Sequence, residues 1–533
     1  MKNAIILAAG KSNRFAPFTY EKPKGLFTVR SEVLIERQIE QLISAGIEEI
    51  AVVIGFMKEK FFYLENKYKE VKLVVNNKFE KYGNLYSLYM ARDFLKNTFI
   101  CCADHYFVSN PFIDGNTENR SYRACVYYDR SFREFSVDYT DADVISDCYF
   151  GEGAGTAMVG HAYFNESFSK KYKELMEKEI DGFRIANMFW EEFFGKHIKE
   201  LTLYVKKYSP NEILEFDDVE DLRRFDSDFL LNVDSQIVNN ICGKLGCNPN
   251  KITDISVIQS GLTNVSFKFS VDDTVYVYRH PGGTAGNLID RKTEITAQTA
   301  AKELGIDKSV IYIDPTGWKL SYYIDNIVPC DFLKNPDQLK IGTEYLRKFH
   351  NANISGYAKV FDDVKEGKRL MDLASATKGN LFSEFGEMLE KLDELKAFAD
   401  EESEKLGIKK VLCHNDVYEP NFIATATGEL YLIDWEYAGL NDPVSDICGL
   451  ICRYEYTQEE VSRLLKAYYG REITETERRH AYAYVAFRAF YFFCWSLYKG
   501  SVGEEDGFFF LTVYRNITKY ADMALEKYRE TEK

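Results

Sequence analysis

The first half of the chain alternates short apolar runs with segments of helical spacing. The apolar runs that predict strands lie at 4–7, 50–54, 71–75 and 99–103, and the helical spacing lies at 34–45, 61–68 and 86–94. Strands separated by helices of this length usually pair in parallel through right-handed crossovers. The pattern therefore predicts an α/β domain with a mostly parallel, Rossmann-like sheet.

The second half follows a different pattern. Apolar alternation predicts consecutive antiparallel strands at 253–259, 265–270 and 274–279, then a helix at 294–304, an extended segment at 319–324 and a mainly helical remainder after 338. A small sheet followed by a helical lobe resembles the bilobal α+β body of protein kinases. Since the chain turns polar and acidic around 220–235, we expect one domain at 1–230 and another at 236–533.

Charge and composition narrow the possible partners. The chain has 83 acidic and 67 basic residues, a net charge of −16, so nonspecific binding to nucleic acid or an anionic membrane is not expected. Its 11 cysteines form no CxxC pair, which argues against a disulfide framework or a zinc site. The longest apolar stretch, 481–498, contains Arg488, which favours a buried helix over a membrane span. We expect a cytoplasmic protein without membrane insertion; the oligomeric state stays open.

A loop of small residues follows the first predicted strand. Leu7, Ala8, Ala9 and Gly10 lead into it, so backbone N–H groups can approach a phosphate or a base edge. Arg14 and Lys24 follow and would supply the cations that an acidic protein must concentrate locally. An ordinary strand-to-helix turn with two exposed bases is the alternative.

Carboxylates follow the strands that should border this loop. Asp104 comes directly after the strand at 99–103, at the sheet edge where α/β proteins bind ligands, and could hold Mg²⁺ against a phosphate. Glu215 and Asp217 alternate, so they project to one side of an extended segment, and Asp217 could complete the metal site. A capping role suits an isolated Asp equally, and His105 could either reach the phosphate or pack internally.

The string from Leu7 to Lys24 resembles the L-A-A-G-x-G-x-R…P-K signature of nucleotidyltransferases, which join a nucleoside triphosphate to a phosphorylated small molecule. Ser12 stands where that signature has its second glycine. The resemblance implies that a substrate phosphate attacks the α-phosphorus and pyrophosphate leaves, while Mg²⁺, Lys24 and Arg14 neutralise charge.

Further segments look like the bacterial CTP:phosphocholine cytidylyltransferases, over most of residues 1–230. The resemblance rests on KFEKYGNLYSLY at 78–89 and on two acidic-aromatic segments. It implies CTP as substrate, Asn84 and Ser87 near the base, and Glu134, Phe135, Phe189 and Trp190 around a trimethylammonium group. A quaternary ammonium has no N–H to donate, so ring faces and carboxylates are its available partners. Each ring also suits a core, and Asn84 and Ser87 also suit a helix start.

The second half contains a kinase-type motif, H-x-D-x-x-x-x-N…D. Asp416 would orient or deprotonate an acceptor hydroxyl, and Asn421 and Asp434 would hold Mg²⁺ on the phosphates of ATP.

Upstream positions complete a nucleotide site. Thr263 and Asn264 lie between two predicted strands, where a phosphate-covering loop belongs, and Tyr323 lies in a predicted hinge for adenine. Arg279 stands where protein kinases keep a lysine, with Glu294 as its expected partner; a plain surface pair is the alternative.

These features together look like choline/ethanolamine kinases and aminoglycoside phosphotransferases over most of residues 240–510. Ser-Gly-Leu-Thr-Asn, His-Asn-Asp and Ile-Asp-Trp-Glu-Tyr-Ala-Gly are similar to the bacterial choline kinase branch. The resemblance implies a choline pocket at Glu436, Tyr454 and Trp495, although Trp495 suits a helical core equally well.

The two resemblances together imply a bifunctional enzyme. ATP would phosphorylate choline in the second domain, and CTP would react with phosphocholine in the first to give CDP-choline, with Mg²⁺ in both sites. Two alternatives stay open: the same reactions on ethanolamine or another amino alcohol, and one domain acting as a catalytically inactive nucleotide sensor.

Overall fold

The computed structural model describes residues 2–113, 120–258, 264–281, 288–503 and 509–531. They form two compact units, Met1–Val257 and Ile258–Lys533. Among these residues, no helix combines the length and apolarity that crossing a bilayer requires.

A central seven-stranded sheet organises the first unit. The strands of this unit are β1 (Lys2–Ala8), β2 (Thr28–Val29), β3 (Glu32–Val33), β4 (Ile50–Ile54), β5 (Val71–Val75), β6 (Asn97–Cys102), β7 (His105–Phe107), β8 (Tyr122–Tyr139), β9 (Ile145–Phe164), β10 (Tyr204–Tyr208) and β11 (Ile213–Glu215). The sheet has the order β10-β8-β9-β6-β1-β4-β5, and only β9 runs antiparallel to its neighbours. The predicted mostly parallel α/β fold is therefore confirmed.

The helices of the first unit are α1 (Leu34–Ser44), α2 (Tyr63–Lys67), α3 (Asn84–Met90), α4 (Glu166–Glu179), α5 (Phe183–Ala186), α6 (Trp190–Lys196), α7 (Val219–Phe225), α8 (Phe229–Asn232) and α9 (Gln236–Leu245). The acidic segment 220–235 is folded, because Leu222 and Phe229 are fully buried. Glu21 accepts hydrogen bonds from Ser235 and from the amide of Ile237, which ties the start of α9 to the first unit. The division of the two compact units falls after Val257, so α9 belongs to the first unit, whereas the sequence placed the boundary near 236.

The second unit begins with a small sheet and continues into helices. Its strands are β12 (Thr253–Ile258), in which the division falls, β13 (Asn264–Val271), β14 (Thr274–Pro281), β15 (Val310–Ile313), β16 (Lys319–Tyr322), β17 (Ile327–Val328), β18 (Val411–Cys413), β19 (Phe422–Thr425), β20 (Leu430–Leu432) and β21 (Gly439–Asn441). β13 and β14 are antiparallel neighbours, as the alternation predicts, and β16 pairs antiparallel with β14.

The helices of the second unit are α10 (Arg291–Glu303), α11 (Pro336–His350), α12 (Asp363–Lys378), α13 (Leu381–Glu384), α14 (Gly386–Leu406), α15 (Val444–Cys452), α16 (Gln458–Tyr469), α17 (Glu475–Ser501) and α18 (Phe510–Thr531). Nearly every side chain of α17 from His480 to Trp495 is buried, which explains its apolar sequence without a membrane. The predicted kinase-like α+β body is confirmed.

Candidate active sites

The loop after β1 has the open backbone that a phosphate site needs. The carbonyls of Leu7 and Ala9 are bonded to neighbouring strand ends, and these two side chains are buried beneath the loop. A Cβ at Gly10 would meet no atom within 4 Å. Ser12 has φ 49° and ψ 51°, the left-handed conformation that favours glycine. Serine at this position therefore adopts a strained backbone conformation.

Each of the two predicted cations contacts one of the two predicted metal carboxylates. Lys24 Nζ lies 3.1 Å from Asp104 Oδ2 and donates to the carbonyl of Phe216 at 2.6 Å. Arg14 Nη1 donates to Asp217 Oδ1 at 2.8 Å. The Lys24 side chain is buried, whereas Arg14 is exposed. The structure thus brings four sequence-predicted residues into one cluster at the carboxyl ends of the strands.

Glu215 joins this cluster through strand pairing. β7 and β11 are antiparallel with Glu215 opposite His105, and Glu215 Oε2 lies 3.2 Å from His105 Nε2. Burial alone would lower the pKa of His105, but the carboxylates of Glu215 and Asp104 together outweigh it and the net pKa is raised. Burial would raise the pKa of Asp104, yet Lys24 and His105 lower it to about 2. Asp104 is therefore ionised at neutral pH.

The donor set of this cluster fits a divalent cation such as Mg²⁺. Asp104, Glu215 and Asp217 offer carboxylate oxygens, the hard ligands that Mg²⁺ prefers. The negative charge of Asp104 acts to raise the pKa of Glu215, and that of Glu215 acts to raise the pKa of Asp217, so successive members of this set lie close together. Sequence alternation had placed Glu215 beside Asp217, but only the β7–β11 register brings it to Asp104.

Glu134 lies at the edge of the same cluster. Its pKa is raised to about 7, first by partial burial and then by the negative charges of Glu215 and Asp217. A carboxyl group that titrates near neutrality can offer either a charge or a proton to a ligand at this edge.

Three phenylalanines form a partly exposed corner, which we call the aromatic corner: Phe135, Phe150 and Phe189. The Phe135 ring centroid lies 5.4 Å from that of Phe150 and 5.6 Å from that of Phe189. Phe150 is 55% exposed and Phe189 is 48% exposed, so these rings can meet a ligand. Phe150 lies opposite Phe135 in the β8–β9 ladder, a pairing that the sequence alone does not reveal.

Trp190, in contrast, belongs to the core. It is 2% exposed and packs edge-on against Phe164 at 5.6 Å. Its carbonyl accepts a hydrogen bond from the hydroxyl of Tyr172 at 2.9 Å. Of the rings expected around an ammonium group, Phe135 and Phe189 come together in the aromatic corner, whereas Trp190 packs in the core.

Asn84 and Ser87 use their side chains within the protein. Asn84 Oδ1 accepts a hydrogen bond from the amide of Trp190 at 2.7 Å, and buried Ser87 accepts one from Asn76 at 3.0 Å. Gly83 approaches the carbonyl of Met188 so closely that a Cβ would lie 2.3 Å from it. This contact and Asn84 hold the turn that carries Phe189.

The second unit contains the predicted catalytic loop. Asp416 Oδ2 accepts a hydrogen bond from Asn421 Nδ2 at 2.9 Å, and its Oδ1 accepts one from Arg453 at 2.5 Å. The Arg453 guanidinium lies over the rings of Tyr418 and Phe492, 4.0 and 3.9 Å from their centroids. Arg453 has no motif in the sequence that would announce it, because it reaches Asp416 from the end of α15.

Arg279 connects the two parts of the predicted nucleotide site. It pairs with buried Glu294 and donates to Asp434 Oδ1 at 2.6 Å, and Glu436 lies 3.8 Å away. Burial would lower the pKa of Arg279, but these carboxylates raise it. The expected Arg279–Glu294 pair is thus a buried ion pair, and Arg279 also binds the predicted metal ligand Asp434.

The other predicted nucleotide contacts lie on the sheet. Asn264 begins β13, and Tyr323 follows β16, where its amide donates to the carbonyl of Val275 at 2.9 Å. Thr263 lies outside the described residues.

The predicted choline-pocket residues lie in two groups. Trp495 is buried and donates to the hydroxyl of Tyr437 at 3.0 Å, next to Glu436 in the chain. Tyr454 stacks on Tyr456, their centroids 5.2 Å apart, and the hydroxyl of Tyr456 donates to Glu419 at 3.2 Å. The second group combines ring faces with a carboxylate, and Glu419 was not selected from the sequence.

Together, the strand-end cluster and the kinase-type loop define a protein with two phosphate-transfer sites. Residues 4–164 match the family model of the MobA-like NTP transferase domain, and residues 255–489 match that of choline/ethanolamine kinase.

Relatives match each half separately. The choline-phosphate cytidylyltransferase of Streptococcus pneumoniae is 35% identical over 223 residues, which are 42% of this chain and 96% of the relative. The 2-aminoethylphosphonate cytidylyltransferase of Lancefieldella rimae is 36% identical over 234 residues, 43% and 93% of the two chains. The crystal structure of choline kinase LicA from Streptococcus pneumoniae is 22% identical, with a TM-score of 0.45, and covers 54% of this chain and 100% of that one.

The chain therefore belongs, through its first half, to the cytidylyltransferases of the nucleotidyltransferase superfamily and carries a choline/ethanolamine kinase domain in its second half. It is a bifunctional transferase, and the predicted fusion is confirmed.

Replacing Ser12 by glycine should stabilise the first unit. Glycine adopts a left-handed φ without strain, and this gain exceeds its larger entropy loss by about 0.5–1 kcal/mol. Pulse proteolysis in urea, followed through the protected fragment of the first unit, measures the change in its free energy of unfolding. Ser12→Ala is the matched control, because alanine keeps the Cβ and should bring no gain. Equal stabilisation by both variants would contradict a strained backbone.

Replacing Glu134 by glutamine should stabilise the metal-free first unit more at pH 8 than at pH 5. Because the folded-state pKa of about 7 lies above the ordinary 4.5, the folded protein binds a proton in this range that the unfolded chain has lost. The stability that this proton brings is complete at low pH and is lost as the pH rises through about 7. Unfolding in urea with EDTA at both pH values tests this, and an equal effect at pH 5 and pH 8 would refute it.

Proposed function

We propose that this chain makes CDP-choline in two steps. The second unit transfers a phosphate from ATP to choline, and the first unit transfers CMP from CTP to phosphocholine and releases pyrophosphate. The observation that carries the proposal is the same arrangement in both sites: a buried cation suited to phosphate contacts a carboxylate suited to a metal, as in Lys24–Asp104 and Arg279–Asp434.

In the second unit, Asp416 would accept the proton of the choline hydroxyl as it attacks the γ-phosphorus. Asn421 and Arg453 hold its two oxygens, so the carboxylate is fixed before the substrate arrives. Asn421 and Asp434 would hold Mg²⁺, and Arg279 would bind phosphate oxygens of ATP.

In the first unit, Asp104, Glu215 and Asp217 would hold Mg²⁺. In both sites, the metal ion would neutralise the negative charge that develops on the phosphate oxygens. Lys24 and Arg14 already contact these carboxylates and would also bind phosphate oxygens of CTP. The open space at Gly10 would let these phosphate oxygens approach the backbone of the loop. A phosphate oxygen of phosphocholine attacks the α-phosphorus, and no covalent enzyme intermediate is required.

The aromatic corner favours a quaternary ammonium as the amine of the first site. Exposed faces of Phe150 and Phe189 attract a cation that cannot donate hydrogen bonds, and Glu134 adds a carboxyl group nearby. A primary amine is the second candidate, because the relative from Lancefieldella rimae is named for 2-aminoethylphosphonate. The substrates ATP and CTP favour a cytoplasmic location.

Separate carboxylate variants should divide the two steps. Asp416→Asn removes the proton acceptor, so phosphocholine formation should fall at least about 1,000-fold while added phosphocholine is still converted. Asp104→Asn weakens the metal site, so phosphocholine should accumulate from choline and ATP. A ³¹P NMR time course with choline, ATP, CTP and Mg²⁺ follows both products.

Several outcomes of the same time course would contradict the proposal. If wild type forms neither product from choline but converts ethanolamine, the mechanism stands and the amine is wrong. If one unit binds nucleotide and never turns it over, that unit is a sensor.

Opening the aromatic corner should change amine selectivity. Phe189→Ala should raise the KM for phosphocholine about 5- to 20-fold, because an exposed cation–π contact contributes about 1 kcal/mol and apolar contact is lost with it. The KM for phosphoethanolamine should change less than twofold. Phe62→Ala, which removes a ring of similar exposure, is the control. Equal losses for both amines would place the ammonium elsewhere.

A further inference from the structure

The residue before the catalytic aspartate has an unusual backbone. Asn415 has φ 60°, a left-handed conformation that few residues other than glycine tolerate. Its amide donates to Asp446 Oδ1 at 2.7 Å, and its side-chain Nδ2 donates to the carbonyl of Tyr437 at 3.2 Å. Asparagine adopts this conformation more readily than most residues, and these hydrogen bonds hold it in place here. The neighbours of Asn415 therefore set the direction in which Asp416 leaves the turn.

One of these neighbours is a fully buried cation. Arg488 lies in the middle of α17 with 0% exposure and donates through Nη2 to the carbonyl of Asn415. Through Nη1 it pairs with Asp363, the buried first residue of α12. Burying a guanidinium without a counter-ion would strongly destabilise the fold, so the pairing with Asp363 allows Arg488 to be charged beside the catalytic loop.

Asn441 closes the arrangement into a ring. Its side-chain Nδ2 donates to Asp363 Oδ2 at 2.9 Å and to Asn415 Oδ1 at 3.1 Å. Asn415 is thus held at its backbone oxygen by Arg488 and at its side-chain oxygen by Asn441, and both donors are bound to Asp363. We call these four residues the Asn415 ring. It joins the catalytic loop to β21, α12 and α17.

We propose that Arg488 is a positioning residue for Asp416. It keeps the peptide between Asn415 and Asp416 in one orientation, so that the carboxylate stays between Asn421 and Arg453. Arg488 has no contact with Asp416 itself among the described hydrogen bonds, and it acts through Asn415. This inference rests on the proposed kinase reaction of the second unit.

Arg488→Met tests the proposal against a purely stabilising role. We expect the kcat for choline phosphorylation to fall at least 30-fold, while the KM for ATP changes less than twofold, because the Arg279 end of the site is untouched. The control is Arg479→Met in the same helix, which breaks the ion pair between Arg479 and buried Glu402, 2.8 Å long. This control should lower the Tm and leave kcat within twofold when the assay temperature lies well below the Tm of each variant.

A kcat for Arg488→Met within threefold of wild type, or an equal loss in Arg479→Met, would overturn the proposal. If Arg488→Met does not fold, Asn441→Ala decides, since it opens the Asn415 ring but leaves the Arg488–Asp363 pair intact. Its kcat should fall about 5- to 10-fold with an unchanged KM for ATP, and an unchanged kcat would overturn the proposal. A wild type that phosphorylates no amino alcohol would refute the proposed function instead.

Discussion

Both sites depend on ion pairs between cations that are suited to binding phosphate and carboxylates that are suited to binding a metal ion. The chain carries a net charge of −16, so its few functional cations must be held in place by neighbouring acids. Lys24 and Arg279 are buried, and each contacts a carboxylate at the carboxyl end of a strand or just beyond it. Leaving such a charge without its partner costs about 3–5 kcal/mol. The pairs therefore keep each site assembled before any ligand binds, and an arriving ligand must exchange partners with them.

Much of this architecture could be predicted from the sequence, because local patterns determine it. The apolar runs 50–54 and 71–75 predict strands with the bounds that the structure has. The run 50–54 is buried throughout, as the continuous apolar sequence of a parallel strand requires. The catalytic motif around Asp416 is also local, and its residues meet as its spacing indicates.

The missing parts of the sites depend on distant segments. Glu215 reaches Asp104 only through the register of β7 with β11, and Phe150 reaches Phe135 only through that of β8 with β9. Arg453 and Arg488 come from helices whose packing no periodicity specifies. Trp190 was expected around the ammonium group but lies in the core, because aromatic character alone does not distinguish a ring that faces a ligand from a ring in the core.

The two compact units, finally, are parts of one polypeptide. A single translation event produces one copy of each, so the molar ratio of the two units in the cell is fixed at one to one. Gene dosage or differential degradation of separate enzymes cannot adjust the balance between the steps. Equal flux through the two steps therefore depends on the turnover numbers of the two units. A mutation that slows one unit cannot be offset by producing more of that unit alone.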